Sequence, residues 1–398
     1  MSGTVLLATL RVLVLWAAGL VAAGQFAKIA VILPDLAEVY PGRGAALGLL
    51  LTLISLLGVV FGMTAGVIAA RAGLRRTLIA ALAGGAALSA VQAMLPGFGW
   101  MLASRVVEGA AHLAVVVAAP TLIAQIAGPR GQPAALSLWS TFFAVAFALA
   151  AWGAPPLIAA HGPAGVLRTH AALSAAAALA VALAVPRSLG APVATATRGA
   201  PSLAVESVRA YAARGAAVPA AGWVFYTLVF VAVLTLMPPD LPAGHRAAVA
   251  AAMPLAGVAV SLGLGVPLMR RMSAVRVVML GFGLSLATCL PLALLPGTAG
   301  PAIGLFAALG LVQGATFAAV PQLNTGAAAR ARANGALAQA GNLGNLAGTP
   351  LLIAATAAAG PMAMPAFVAL ACAAGLAVYV LAAPLDARRQ AGYMSAGD

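Results

Sequence analysis

Four ionisable side chains stand in stretches that otherwise read as hydrocarbon-facing. Arg105, Glu108 and His112 lie in an apolar run from Trp100 to Gln125, and Lys28, the only lysine of the chain, lies in another. At about 100° per residue, Glu108 falls about 60° and His112 about 20° from Arg105, so the three share one narrow helix face. Gln25 lies about 60° from Lys28 on the same reckoning. Ionisable groups are costly in lipid and must look into protein or a water-filled cavity. The chemistry they offer is proton exchange and anion binding. A carboxylate beside an arginine can load and release a proton as its surroundings change, and an imidazole titrates near neutrality. A guanidinium can grip a carboxylate with two parallel hydrogen bonds, which an ammonium cannot. Structural alternatives stand beside these readings: an Arg105–Glu108 pair that only locks helices together, and a Lys28 that snorkels toward the membrane interface.

The elements that must position these groups are transmembrane helices. The chain has 398 residues, 63% of them hydrophobic and only 7% charged, against about 25% charged in soluble domains. Runs of about 20 apolar residues are long enough to span a bilayer. Twelve such spans are expected near 11–33, 45–69, 77–95, 100–125, 135–160 and 166–186, then 217–237, 247–269, 276–296, 301–325, 334–357 and 366–384. The first is too long for a signal-peptide core and lacks a small-residue cleavage site. Cys289 and Cys372, isolated within spans, read as packing residues. With the N-terminus in the cytoplasm, sixteen of the 21 basic residues fall on the cytoplasmic side and three, Arg43, Arg168 and Arg246, on the other. That bias sets both termini in the cytoplasm by the positive-inside rule. The net charge of +14 is thus a topology signal rather than a nucleic-acid surface.

The polar stretch Arg187 to Ala216 divides the chain into residues 1–186, a linker 187–216, and residues 217–398. Within the linker, "PSLAVESVRAYAARG" reads either as a basic amphipathic helix on the membrane face or as a solvated tether. The halves resemble each other. "GAPPLIAA" (Gly153 to Ala160) recurs as "GTPLLIAA" (Gly348 to Ala355), "LPDL" at Leu33 recurs as "PPDL" at Pro238, and "GVIAARAGLRR" after span 2 has a looser counterpart, "GVPLMRRMSAVR", after span 8. The expected fold class is an all-α membrane protein, twelve transmembrane helices in two pseudo-symmetric six-helix bundles, an architecture of secondary transporters.

"GVIAARAGLRR" also resembles the signature loop of the major facilitator superfamily, written G-x-L-A-D-R-x-G-R-R. Gly66, Arg71, Gly73, Arg75 and Arg76 occupy matching places, while Ala70 stands at the acidic position. "RVVEGA" is similar to a second family motif through Arg105 and Gly109; of a third, antiporter motif only Gly153 and Pro155 echo. The resemblance implies alternating access, conformational switching at Gly66, Arg71, Gly73 and Arg75, and a cavity lined by spans 1, 4, 7 and 10. Spans 3, 6, 9 and 12 would lie outside, with Arg168 and His170 only at the outer end of span 6.

On this footing the expected function is proton-coupled secondary transport of a small organic solute, an organic anion being favoured. Glu108 and His112 are the candidates for proton coupling. Lys28, Arg105, Gln25, Tyr226, Gln313, Gln339 and Asn342 are the candidates for substrate binding. The amides of spans 10 and 11 either bind substrate or hydrogen-bond between helices, and Tyr226 with Trp223 and Phe225 either walls a cavity or anchors at the interface. A multidrug exporter, and a non-transporting receptor or accessory protein, are the alternatives. A phosphate-binding loop is absent, and seven scattered acids do not make a metal-dependent enzyme. No cofactor, metal or nucleic acid is expected. The partners are substrate, protons and the lipid bilayer; a monomer in a bacterial inner membrane is expected, an Ala- and Arg-rich composition suggesting a high-GC genome.

Overall fold

The computed structural model describes residues 3–190, 211–324 and 327–395. Most of the expected linker helix, 201–210, lies outside them. The described residues are almost wholly helical, without a strand. They divide into two compact units, Met1–Ala200 and Pro201–Asp398.

Ten helical stretches are long and apolar enough to cross a membrane. Two of them, Phe142–Ala184 and Arg332–Leu381, run to 43 and 50 residues, far beyond the roughly 20 residues of one crossing. Each is interrupted at a glycine with positive φ, Gly162 (φ 61°) and Gly360 (φ 64°), where a side chain would be strained. Counting each as two crossings gives the twelve spans expected from the sequence.

The first unit is built from α1 (Gly3–Val39), α2 (Leu47–Thr52), α3 (Leu56–Phe61), α4 (Ala65–Ala72), α5 (Leu74–Gln92), α6 (Phe98–Ser140) and α7 (Phe142–Ala184). Span 1 is longer than expected: Pro34 does not end it, and α1 continues to Val39. A proline costs one intrahelical hydrogen bond and tends to kink a helix, which does not stop α1 here. Span 2 is instead broken into α2, α3 and α4, with a turn near Gly62. α6 carries span 4 up to Gly128 (φ 62°), then the start of span 5. Helices α1, α5, α6 and α7 pack together over an interior of Leu15, Ala18, Ala22, Leu78, Leu82, Val115, Ala118, Leu122 and Val181. Alanine at so many of these positions lets helix backbones approach closely, which is how helices associate in lipid.

The second unit contains α8 (Arg214–Leu236), α9 (Arg246–Val260), α10 (Val266–Met269), α11 (Ala274–Ala287), α12 (Cys289–Leu294), α13 (Ala299–Leu323), α14 (Ala327–Ala359) and α15 (Ala363–Ser395). Its pairings repeat those of the first unit: α8 packs on α14 as α1 does on α7, and α11 on α13 as α5 does on α6. The repeated sequence segments have nonetheless diverged in packing. A Cβ at Gly348 would lie 2.3 Å from the Leu228 carbonyl oxygen, whereas one at Gly153 would meet nothing within 4 Å.

Candidate functional site

Glu108 is fully buried on α6, the only buried carboxylate among the described residues. Burying it would be prohibitive without partners, and three helices supply them. Lys28 Nζ, on α1, lies 2.6 Å from Glu108 Oε1. Arg105, one turn back on α6, pairs with Oε2 through Nη1. Gln92 Nε2, at the end of α5, donates to Oε2 at 2.8 Å. Lys28 is only 2% exposed and Arg105 not at all, so Lys28 does not snorkel to an interface.

Both cations make further hydrogen bonds. Lys28 Nζ donates to Ser89 Oγ at 2.7 Å. Arg105 Nε donates to the Leu50 carbonyl at 2.7 Å and Nη2 to the Gln25 carbonyl at 2.8 Å. Arg105 therefore holds α1, α2 and Glu108 at once. It can reach Leu50 because Gly109 brings α6 against the neighbouring backbone: a Cβ there would lie 2.3 Å from the Ile54 carbonyl oxygen. With one carboxylate and two cations, the cluster carries a formal charge of +1. Its guanidinium is paired with Glu108, the arrangement in which an incoming anion would have to replace that carboxylate.

The amides and imidazoles complete the picture. Gln92 Nε2 also donates to Ser104 Oγ at 3.1 Å, and Ser104 to the Met101 carbonyl at 2.6 Å. Gln25 shares α1 with Lys28, but the structure joins it to the cluster through its backbone carbonyl. Its Oε1, like Gln92 Oε1, is buried without a hydrogen-bond partner. His112 shares the face of Arg105 but bonds away from Glu108: its Nδ1 donates to the Ala22 carbonyl at 3.1 Å, and its ring meets the edge of Phe26 at 5.0 Å. His170 lies within the network rather than at a helix end apart from it. It is 6% exposed, 2.8 Å from Ser89 Oγ through Nδ1 and 2.9 Å from the Val21 carbonyl through Nε2.

At the other end of the first unit, Gly73 (φ 92°) makes the turn between α4 and α5. Arg75, next but one, donates through Nε to the Val185 carbonyl at 2.7 Å and through Nη2 to Ala182 at 2.6 Å. Arg11 donates to Ala184 at 3.0 Å. These are the unsatisfied carbonyls at the C-terminus of α7, where partial negative charge favours cations. Arg71 is exposed, and Gly66 lies within α4.

In the second unit Tyr226 is buried and stacks on Trp223, with ring centroids 4.4 Å apart and planes 13° apart. Phe317 meets Trp223 edge-on at 5.0 Å. Tyr226 is thus the buried member of an aromatic group in which Trp223 is half-buried and Phe317 exposed, not an interface anchor. Gln339 accepts from Tyr211 Oη at 3.2 Å, and Asn342 donates to the Ala338 carbonyl at 2.9 Å within its own helix. Gln313 is half-buried on α13. Lys28, Gln25, Arg105 and Glu108 are brought into one cluster; Tyr226, Gln313, Gln339 and Asn342 belong to the other unit.

Against known proteins, the sequence model described as Major Facilitator Superfamily matches residues 15–349. The chain belongs to the Major Facilitator Superfamily. No curated protein matches it by sequence. Its fold is similar to that of the human organic anion transporter MFSD10 (TETRAN), with a TM-score of 0.68, 16% identity, and coverage of 94% of this chain and 99% of that one. It is similar also to a variant of the E. coli fucose:proton symporter FucP, with a TM-score of 0.65, 18% identity, and coverage of 93% and 98%. FucP in the outward conformation gives the same TM-score at 17% identity.

Within this superfamily member, sequence reasoning missed Ser89, Gln92, Ser104 and His170. Ser89 and Gln92 were passed over because span 3 was assigned to the periphery and neither side chain is ionisable. They sit three residues apart, hence on one face of α5, and that pairing of polar residues was the available signal. His170 was placed with Arg168 at an outer helix end; the burial of its ring next to Gly24, where a Cβ would lie 3.0 Å from His170 Cδ2, is a tertiary fact.

Proposed function

We propose that this superfamily member is a proton-coupled secondary transporter of a small organic anion, working by alternating access in a bacterial inner membrane with both termini in the cytoplasm. The observation that carries the reading is the buried Lys28–Glu108–Arg105 cluster. Burying two cations around one carboxylate is a poor way to gain stability, and intramembrane ionisable groups mark ion and substrate pathways.

Glu108 takes the coupled proton. A protonated Glu108 no longer compensates Arg105 and Lys28, and the formal charge of the cluster rises from +1 to +2. An anion entering then relieves that charge, with Nη1 of Arg105 released to donate a charge-assisted hydrogen bond to it. Proton and anion favour one another's binding, which is the linkage that symport requires. Gln25 offers a buried acceptor beside this site. Tyr226, Gln313, Gln339 and Asn342, all in the second unit, are further substrate contacts in this reading, and His112 tunes the cluster from the same helix face as Arg105. Gly66, Arg71, Gly73 and Arg75 govern switching between access states. The structural neighbours, an organic anion transporter and a proton symporter, agree with this choice but at such low identity speak for the fold alone.

Uptake into proteoliposomes holding the purified protein tests the reading. Radiolabelled organic anions, sugars and lipophilic cations are offered with and without an inward proton gradient. Accumulation of an anion that follows the gradient, and that Glu108→Gln abolishes while anion counterflow persists, is the expected result. Gradient-driven efflux of lipophilic cations from inverted vesicles would favour the multidrug exporter. A protein that moves none of these solutes would favour the receptor or accessory reading.

A further inference from the structure

Three donors converge on the Glu108 carboxylate. Lys28 Nζ reaches Oε1 at 2.6 Å, and Oε2 takes Arg105 Nη1 together with Gln92 Nε2, the latter at 2.8 Å. That arrangement suits the ionised acid, which only accepts. A protonated Glu108 carries an O–H that has to donate, and an ammonium and a guanidinium have no acceptor to offer it. Of the three groups touching the carboxylate, only the Gln92 amide can exchange donor for acceptor. Its terminal torsion is broad and roughly two-fold, so Oε1 and Nε2 can trade places. Its acceptor is also idle: Gln92 is fully buried, and its Oε1 has no hydrogen-bond partner among the described residues. Buried acceptors left so are few in native proteins, and each wants a reason.

We propose that Gln92 is the positioning residue for the protonated state: its amide turns over when Glu108 takes the proton on Oε2, and Oε1 accepts the new O–H. The inference rests on the reading of Glu108 as the proton acceptor and goes beyond it by naming the group that holds the neutral acid. A proton on Oε2 confronts Arg105 Nη1 and Gln92 Nε2 at once. The guanidinium can only let go, whereas the amide can turn and stay bonded. Gln92 thereby holds Glu108 in the form that leaves Arg105 Nη1 free for the anion. The charged and titratable groups facing Glu108 are Lys28 from α1, Arg105 from its own helix and His170 from α7; His112 is bonded to Ala22 instead. Gln92, the partner from α5, bears no charge, so its turning leaves the charge of the cluster to Glu108 alone.

The turn has a cost, and the cost is what makes it a switch. Nε2 gives up Glu108 Oε2 and also Ser104 Oγ at 3.1 Å, and it moves to the side where Oε1 now has no partner. While Glu108 is charged, that loss keeps the donor end inward. Only an O–H in need of an acceptor overturns the balance. Ser104 can follow the change. Its hydroxyl now accepts from Nε2 and donates to the Met101 carbonyl at 2.6 Å, and by rotating its O–H it can donate to Oε1 instead. No covalent bond of Gln92 or Ser104 is made or broken.

Two measurements on the full chain test this. The first is infrared difference spectroscopy in nanodiscs between high and low pH, with glutamine carrying carbon-13 at its side-chain carbonyl. The Glu108 carboxyl band is the one lost in Glu108→Gln. The Gln92 band is the one lost in Gln92→Met or, should that variant not fold, displaced in Gln92→Asn. As the Glu108 carboxyl appears, the Gln92 carbonyl should move to lower frequency, the mark of an amide oxygen gaining a hydrogen bond. Glu108→Gln should abolish that movement. A protonated Glu108 beside an unmoved Gln92 band would overturn the proposal and leave the coupling at Glu108 standing. The second measurement is transport of the anion found to respond to the gradient. Gln92→Met removes the acceptor without altering charge. The ratio of gradient-driven accumulation to counterflow should fall about tenfold, the scale of one buried hydrogen-bonding group left unsatisfied. Gln92→Asn, which keeps an amide, should lose less. An unchanged ratio in Gln92→Met would also overturn the proposal. A Glu108 that stays ionised at every pH the fold survives, or a wild type that ignores the gradient, would sink both readings together.

Discussion

The two cations of the cluster are not equivalent partners of Glu108. Arg105 spends its other donors on the Leu50 and Gln25 carbonyls, so it would remain satisfied in part whatever Glu108 does. Lys28 has Glu108 and Ser89. Removing Glu108 leaves two buried charges without their counter-ion, a change that typically costs about 3–5 kcal/mol. Removing Lys28 leaves a neutral Arg105–Glu108 pair and a smaller defect. Thermal unfolding in detergent should therefore show a larger fall in Tm for Glu108→Gln than for Lys28→Met. Neighbouring sites of one network are not additive, so the double variant should lose less than the sum. Equal losses, or an additive double variant, would mean that the cluster does not act as a unit.

Helices α6 and α5 turn these residues into a site by packing. Gly109 follows Arg105 by four residues, and its lack of a Cβ is what lets α6 meet the Ile54 carbonyl. Gly109→Ala forces backbone apart and should cost about 1–3 kcal/mol, as overpacking does. Gradient-driven uptake should fall with it, because the reach of Arg105 to Leu50 depends on that approach. Gly99→Ala is the control: on the same helix a Cβ there meets nothing within 4 Å, and both properties should survive. At the far end of α5, Arg75 binds two terminal carbonyls of α7. Lysine keeps the charge there but not the forked geometry. Arg75→Lys should retain part of the wild-type turnover and Arg75→Gln less, with substrate KM nearly unchanged in both. A change confined to KM would assign Arg75 to binding instead of switching.

For the whole molecule, the charge bias makes a claim that reporter fusions can check. A reporter active only in the cytoplasm should be active when fused after residue 398 and inactive when inserted near Gly162 or Gly360. The opposite pattern would invert the direction in which protons drive transport. The acidic position of the family loop, Ala70 here, gives a second handle. Ala70→Asp places an acid beside Arg71 and should favour one access state, altering turnover and the labelling of cysteines introduced on spans 1 and 7. No change in either would remove the loop from the switching mechanism.

Much of this could be read without a structure because it is written in local properties. Hydropathy marks the spans, and a period of about 3.6 residues puts Arg105, Glu108 and His112 on one face. The loop from Gly66 to Arg76 points to the family by itself. What one helix's sequence cannot contain is the partner on another. Lys28 reaches Glu108 across 80 residues of chain, and Ser89 and His170 meet it from two further segments. His112, alike in position on its face, instead finds the Ala22 carbonyl. Backbone carbonyls are present at every residue, so no pattern of side chains foretells that those of Leu50, Gln25, Ala22 and Val21 will be the acceptors. Only the packing of α1 and α2 against α6 and α7 decides which of them a buried donor can reach, and with that whether an ionisable residue is paired, linked into a chain, or set apart.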